Sequence, residues 1–514
     1  MYNFSEFGLF FVDYSLKKHT ILRKRFEQQL DLRIPSIKDI KIPVKSRDEL
    51  PPVLRALQYI FIIPAINEKI YALLEDKIMK GKKKTGRPGM DLWHILVLSV
   101  VRHTLNTDWD RLTWNANYDG LLRAILGLLP TLEEQEFECQ TIIDNVGLID
   151  EALLQEINNI VVEAGMGLIK KKEAEEPVRL KTDSFVVERN VHFPTDLNLL
   201  WDSSRQVRRI IKQLKRYTTV TGCRKIEYLS TAIKSQLRAT TQQIYKGKNE
   251  EQKRAAVKEY LRLAGEVHLK GCTILENPIT VNNERQAKKV AKLLAELKEY
   301  SNYSSKFIDQ ITRRLLKGET IPASEKVYSV FEKETEWINK GKGHNIIELG
   351  HQVLITSNQF HYIVDYKIMV GEKDVSQIPS LLQRIGKMYE GKRIGSHSFD
   401  KGFWSKVNLE LLEASKTETE VLPKRGKQSK ADKERESTKE FKESRKKHSA
   451  VESNINMLEH HGLARCRDKS MKGFERYVGL SVLAYNLHIM GNQLTAIEKE
   501  KEKRLQHRLL KSAA

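Results

Sequence analysis

The stretch "VRLKTDSFVVE" (178–188) decides how the rest of the chain is read. It is short, rich in β-branched and aromatic residues and flanked by polar ones, which reads as a β-strand set inside an otherwise helical pattern. Asp183 sits within it, against Phe185, Val186 and Val187, which should be headed into a core. A carboxylate at the mouth of a buried strand is costly unless something cationic neutralises it.

Upstream, residues 52–170 are helical by pattern. In "PVLRALQYIFIIPAINEKIYALLEDKI" and "DLWHILVLSVVRHTL" apolar residues recur at three- and four-residue spacing over runs too long for strands. Between these lies "KGKKKTGRPGM" (80–90), a basic loop punctuated by glycine and proline, suited either to phosphate contact or to simple solvation. A charged connector, "LIKKKEAEEP" (168–177), ends at Pro177 and leads into the strand.

Downstream, the helical period returns from about 203 to 318, with strongly basic polar faces in "RQVRRIIKQLKRY" and "ERQAKKVAKLLAELKEYSNYSSKFIDQITRRLLKG". After Pro322 strand signals resume at 326–332, 345–356, 360–370, 394–399 and 417–423, with the helical "SQIPSLLQRIGKMYEG" before the fourth. The simplest account is one α/β domain interrupted by a helical insertion. Residues 424–448 hold no bulky aliphatic side chain, and 11 basic residues face 5 acidic ones, so the segment is expected to be solvated and mobile in isolation. A helix with Val451, Ile455 and Leu458 on one face follows, then the apolar "YVGLSVLAYNLHIMGNQL" and a basic amphipathic tail. The expected units are therefore 1–50, of unassigned role; 51–170, all-helical; 178–204 with 325–490, the α/β domain; 205–324, the insertion; and 491–514, a basic C-terminal helix.

A chain of 514 residues is too long for one ordinary core. Lysine and arginine total 88 against 67 acids, a formal charge of +21, which points first to nucleic acid as partner and second to a merely solubilising surface. A membrane is disfavoured, because the apolar run at 92–101 is far short of the roughly 20 residues a span needs. The N-terminal residues show no secretion-signal pattern. Cys139, Cys223, Cys272 and Cys466 are scattered without a zinc-type spacing, as expected of reduced thiols in a cytoplasmic protein.

Three acids occupy comparable places: Asp183 on the first strand, Asp400 at the end of a short strand in "SHSFDKGFW", and Glu452 beside the apolar face of the late helix. Carboxylates converging from rigid elements suit Mg²⁺, a hard cation that takes few protein ligands and keeps several waters. Two such ions about 3.5–4 Å apart serve phosphoryl transfer, one activating the attacking oxygen and the other steadying the leaving one.

The strings "TDSFVVERNVHFPTDLNLLWDSSR", "SFDKGFWSKVNLELLEASKTETEVLPKRGK" and "HSAVESNINMLEHHGLARCR" resemble the three blocks of bacterial insertion-sequence transposases of the DDE type, specifically the group called ISNCY. The similarity extends to "EWINKGKGHNIIELGHQVLI" and to the N-terminal "GRPGMDLWHILVLSVVRHTLNTDWDRLTWNANYDGLLRAILG". The resemblance implies an RNase-H-like catalytic domain with Asp183, Asp400 and Glu452 as catalytic, metal-holding triad, and two Mg²⁺ ions per site, with Mn²⁺ as a substitute. It also implies binding of transposon ends and target DNA, cleavage and strand transfer, and a homodimer on DNA. Residues 51–170 would bind the ends, with Lys82, Lys83, Lys84 and Arg87 on the backbone; Lys401, Lys424, Arg425 and Arg465 are further candidates.

The chain departs from the family pattern where Tyr and Arg usually precede the glutamate and Lys follows it: those positions are Arg445, His448 and Glu459. Their phosphate contacts would pass to others, such as Arg465 and Lys469. Asp365, within a strand, rivals Asp400 as second aspartate; Asp196 reads as a turn acid, and Asp202 is also close to the first block. Glu459 is an auxiliary ligand or a surface residue, and Trp201 and Trp337 either stack on a displaced base or pack in the core. Two other classes stay open: an inactive DNA-binding repressor, and a nuclease of the same fold without strand transfer.

Overall fold

The computed structural model describes the chain from Arg23 to Ala513 except residues 27–32, 82–88, 132–134, 171–172, 174, 278, 280, 282, 340–346 and 416. Two compact units emerge, Met1–Val187 with Gln352–Ala514, and Glu188–His351.

Ahead of the sheet the described residues of the first unit form α1 (Leu50–Ile62), α2 (Pro64–Met79), α3 (Leu92–Thr104), α4 (Trp109–Tyr118), α5 (Gly120–Ile125), α6 (Cys139–Val146) and α7 (Glu151–Met166). Side-chain caps fix several of their starts: Asp108, Asp119 and Asp150 each accept a hydrogen bond from a first-turn amide. The sheet follows, with β1 (Val178–Arg189) reaching the unit boundary. β1 lies between β3 (Ile347–Ser357) and β5 (Ile394–Phe399), the latter parallel to it. β4 (Ile363–Met369) runs antiparallel to β3, and β6 (Glu420–Val421) parallel to β5. The short β7 (Arg465–Cys466) pairs with β1. This is a mixed sheet flanked by helices.

Alternation along β1 explains its central place. Val178 and Leu180 join a core with α1, α3 and α7, whereas Phe185 and Val187 join one with Val451, Leu458, Phe474 and Val482. Both faces of β1 carry core residues, and Asp183 stands half-buried among them. The remaining helices of this unit are α12 (Ile378–Met388), α13 (Lys406–Glu413), α14 (Lys430–Ser437), α15 (Lys439–His448), α16 (Ala450–Leu458) and α17 (Met471–Ala513), numbered after α8–α11 of the second unit given below. The apolar stretch and the basic tail expected at the C-terminus are one continuous helix, α17, buried at its start and exposed from Lys499 to Lys511.

α1 packs on α17 through a close approach. A Cβ at Gly491 would overlap the carbonyl oxygen of Pro52, so the crossing depends on the missing side chain. Gly491→Val is therefore expected to cost more than about 3 kcal/mol, at the upper end of overpacking penalties. Chemical denaturation of the two proteins checks it; an unchanged midpoint would contradict the packing.

The segment 424–448 is more ordered than its composition suggests. Ser429 and Asp432 form a capping box at the start of α14, and Thr438 caps α15. Phe441 is 2% exposed and anchors α15. Local caps and a single aromatic stand in for the aliphatic stripe of an ordinary amphipathic helix.

The second unit is built on α8 (Asp196–Leu214), α9 (Ile226–Lys246), α10 (Glu250–Glu276) and α11 (Glu284–Ile311). Their buried residues, among them Leu200, Val207, Tyr260, Leu297 and Phe307, form a separate core. Thr195, Asn249 and Asn283 cap α8, α10 and α11. Its span is wider than the insertion expected from periodicity, because α8 and the residues after Pro322 pack with the same core. The strand expected at 326–332 does not form. Val330 is buried among the helices, and the Ser329 hydroxyl accepts from the amides of Phe331 and Glu332, a local bond that competes with a ladder. A strand forms just after it instead: β2 (Glu336–Asn339) pairs antiparallel with Ile347–Gly350 of β3. Arg189 and Glu332 make a buried ion pair there.

Among the described residues no single helix is long and apolar enough to cross a membrane. α1 and α2 together reach that length and composition, but they meet at 93° and α1 is largely buried in the core.

Candidate functional site

The site starts from the register of two parallel strands. Arg179 lies opposite Ser396, Lys181 opposite Ser398 and Thr182 opposite Phe399. One residue further, past the last paired rung, come Asp183 on β1 and Asp400 at the end of β5. Just below them Thr182 Oγ1 is 2.8 Å from both Thr356 Oγ1 and His397 Nε2, tying β3, β1 and β5 together. Burial pushes the His397 imidazole down to about 3, so it is neutral in this network.

Asp183 is half-buried, and its Oδ1 accepts from the Ser184 amide at 2.8 Å. The Ser184 hydroxyl in turn donates to Asp374 Oδ1 at 2.6 Å. Asp374 opens a 3-10 turn (Asp374–Ser376), and Asp400 leads into another (Lys401–Phe403). The two turns touch closely enough that a Cβ on Gly402 would sit 3.1 Å from Asp374 Oδ2, so the glycine of "DKGF" leaves room for a fourth acid. Glu452 is exposed in the first turn of α16, whose buried Val451 and Leu458 pack with Phe185 and Val187 of β1.

The electrostatics record this convergence. The Asp183 carboxyl is raised to about 7, first by burial and then by the charges of Asp400, Asp374 and Glu452, against the lowering effect of the Ser184 amide. Asp374 is also raised, by burial and by Asp400. None of the four acids forms an ion pair with a described cation. Among the described residues no group of three or more His, Cys, Asp or Glu is set to hold a metal ion as it stands. The donors are nonetheless all carboxylate oxygens, the set a hard divalent cation takes.

The rival acids have other partners. Asp365 receives a two-pronged bond from Arg384, Nε to Oδ1 and Nη2 to Oδ2, both 2.8 Å. Removing that carboxylate charge leaves a half-buried guanidinium poorly paired, so Asp365→Asn should cost roughly 2–4 kcal/mol while leaving any phosphoryl-transfer rate within a few-fold. Denaturant titration alongside a cleavage assay separates the two effects. In the second unit Asp196 pairs with Arg314, and Asp202 with His192 and Arg205. Glu459 is half-buried where α16 gives way to a π turn (Glu459–Leu463) that Gly462, at φ 106°, turns toward β7.

Of the basic candidates, Lys82, Lys83, Lys84 and Arg87 lie outside the described residues. Lys401, Arg425 and Arg465 are exposed. Lys424 is engaged, its Nζ 3.8 Å from the Trp404 ring centroid and 3.6 Å from Asp432. Trp201 packs on the core of the second unit, and Trp337 is half-buried between the rings of Phe193 and Tyr328. Sequence reasoning missed Asp374, Ser184 and Lys181. Asp374 stands in "GEKDVSQIP", which reads as an ordinary helix-entry acid; only the fold brings it to β1. No family model, curated protein or solved structure matches this chain.

Proposed function

We propose that the chain is a DDE-type transposase with an RNase-H-like catalytic domain, cutting and joining DNA at the ends of a bacterial insertion sequence. The observation that carries this is the placing of Asp183, midway along β1, and Asp400, just past the end of β5, immediately beyond the last rung that pairs the two parallel strands, with Glu452 on a helix packed over the same face. The sequence order of strand acid, strand-end acid and helix acid is thereby matched by proximity, since Asp400 and Glu452 both raise Asp183.

Asp183 and Asp400 would hold Mg²⁺, with Glu452 completing the set and Asp374 steadying the first acid through Ser184. No three acids need surround one ion, because Mg²⁺ takes one or two carboxylates together with waters and phosphate oxygens. When bound, such ions lower the pKa of attacking water and stabilise the leaving oxygen. The chain's part is placement: the Thr356–Thr182–His397 ties hold the strand ends still, and exposed Lys401 beside Asp400 is available to a phosphate. The net charge of +21 supports DNA as partner, with affinity falling steeply as salt rises. Joining two ends calls for a dimer.

The test is excision and reinsertion, in cells, of a marker flanked by the terminal repeats around this coding sequence. Loss of both steps in Asp183→Asn, Asp400→Asn and Glu452→Gln, with end binding retained, supports the reading. End binding by wild type without any cutting would replace it with a repressor, and cutting without joining with a nuclease.

A further inference from the structure

On the same face of β1 as Asp183, at alternate positions, stand Lys181 and Arg179. They line a cleft of about 460 Å³, closed on the other side by residues of α15 and α16. Ser396 and Ser398 of β5 stand opposite them in register, and Ser444 and Lys447 of α15 face them across the cleft. Lys181 is 8% exposed, yet no carboxylate is paired with it among the described residues. Lys447 has none either, and Arg179 is paired only with half-exposed Glu176 at the rim. The cleft is rigidly made: the Arg179 amide donates to Gln359 Oε1 at 2.9 Å, and Ser398 Oγ lies 3.0 Å from His448 Nδ1. A buried ammonium beside two more cations and a row of hydroxyls, with no acid among the lining residues to balance them, is a surface that lacks its anion.

We propose that this cleft binds a backbone phosphate of the DNA strand whose neighbouring phosphodiester reacts at the acids. This rests on the proposed function and deepens it by assigning the phosphate contacts that the family pattern leaves vacant at Arg445, His448 and Glu459. Cations and hydroxyls without a Phe, Tyr or Trp among the lining residues suit phosphate and sugar rather than a base, so the contact is independent of sequence. Two residues along a strand span about 6.6 Å. A phosphate held by Lys181 is therefore one or two nucleotides from one held at Asp183, given a rise of about 3.4 Å per nucleotide in duplex DNA. The strand would run along β1 and β5 from cationic rungs to acidic ones.

The experiment measures binding of a short fluorescent duplex to full-length wild type, Lys447→Gln and Lys181→Met across a salt series. Each variant should bind about 3- to 10-fold more weakly, with the slope of log affinity against log salt reduced by about 0.9 for one lost phosphate contact. Lys447 is exposed, so its variant folds as wild type does; if Lys181→Met melts lower than wild type, Lys447→Gln alone decides the outcome. Wild-type binding with affinity and slope unchanged in the variants overturns the cleft and spares the proposed function. Absence of DNA binding by wild type overturns both.

Discussion

Asp183→Asn is expected to lower strand cleavage by about 10³-fold or more while making the metal-free protein more stable, two effects of opposite sign from one substitution. The first follows from the loss of a carboxylate that would hold the ion activating the attacking oxygen. The second follows from the same carboxylate's surroundings: burial and three neighbouring acids raise it to about 7. A neutral, nearly isosteric amide relieves that repulsion, for a gain on the order of 2 kcal/mol near pH 8 without divalent ions. Cleavage assays and thermal unfolding in chelator read the two sides. A variant that loses activity and also melts lower would indicate structural damage, and the catalytic assignment would lose its support.

The second large effect is a dependence of stability on pH that Mg²⁺ removes. A carboxyl whose folded pKa lies above its unfolded value contributes stability that is fully present below the unfolded pKa, about 3.9, and is lost as pH rises through the folded value, here about 7. In chelator, the first unit should therefore weaken between about pH 4 and 7, by on the order of 2 kcal/mol. Mg²⁺ should restore it at the alkaline end and do little at the acid end, where protons occupy the oxygens instead. Asp183→Asn should flatten both responses. Equal stabilisation by Mg²⁺ at every pH, or in wild type and variant alike, would place the ion elsewhere.

Much of the architecture is legible from period and punctuation. The strand expected at 360–370, which forms over 363–369, and the helices of 52–170 follow apolar spacing, because in each case the buried face is written along a single element. The errors arise where a tertiary partner or a local bond decides. Val330 belongs to a helical core supplied by residues far along the chain, so its strand-like surroundings form none. The 424–448 segment owes its helices to Ser429, Asp432 and Thr438 caps and to Phe441, features that composition averages away.

The candidate site divides in the same way. Asp183 and Asp400 stand out because acids set against strand residues clash with their neighbours, while the rival Asp365 has a partner of its own in the Arg384 fork. Asp374 and Lys181 were not legible as site residues. An acid in a loop and a lysine in a strand are commonplace until pairing of β1 with β5, and packing of two 3-10 turns, bring them beside Asp183.

Whether these acids carry strand transfer is decided most simply by a joining reaction with purified protein, Mg²⁺, a pre-cut element end bearing a free 3′-hydroxyl, and plasmid as target. Covalent joining is expected of wild type and of Asp365→Asn, and is expected to be abolished by chelator and by Asp400→Asn. Joining that survives Asp400→Asn, or that proceeds in chelator, would mean that the acids just past the last β1–β5 rung do not hold the metal that drives it.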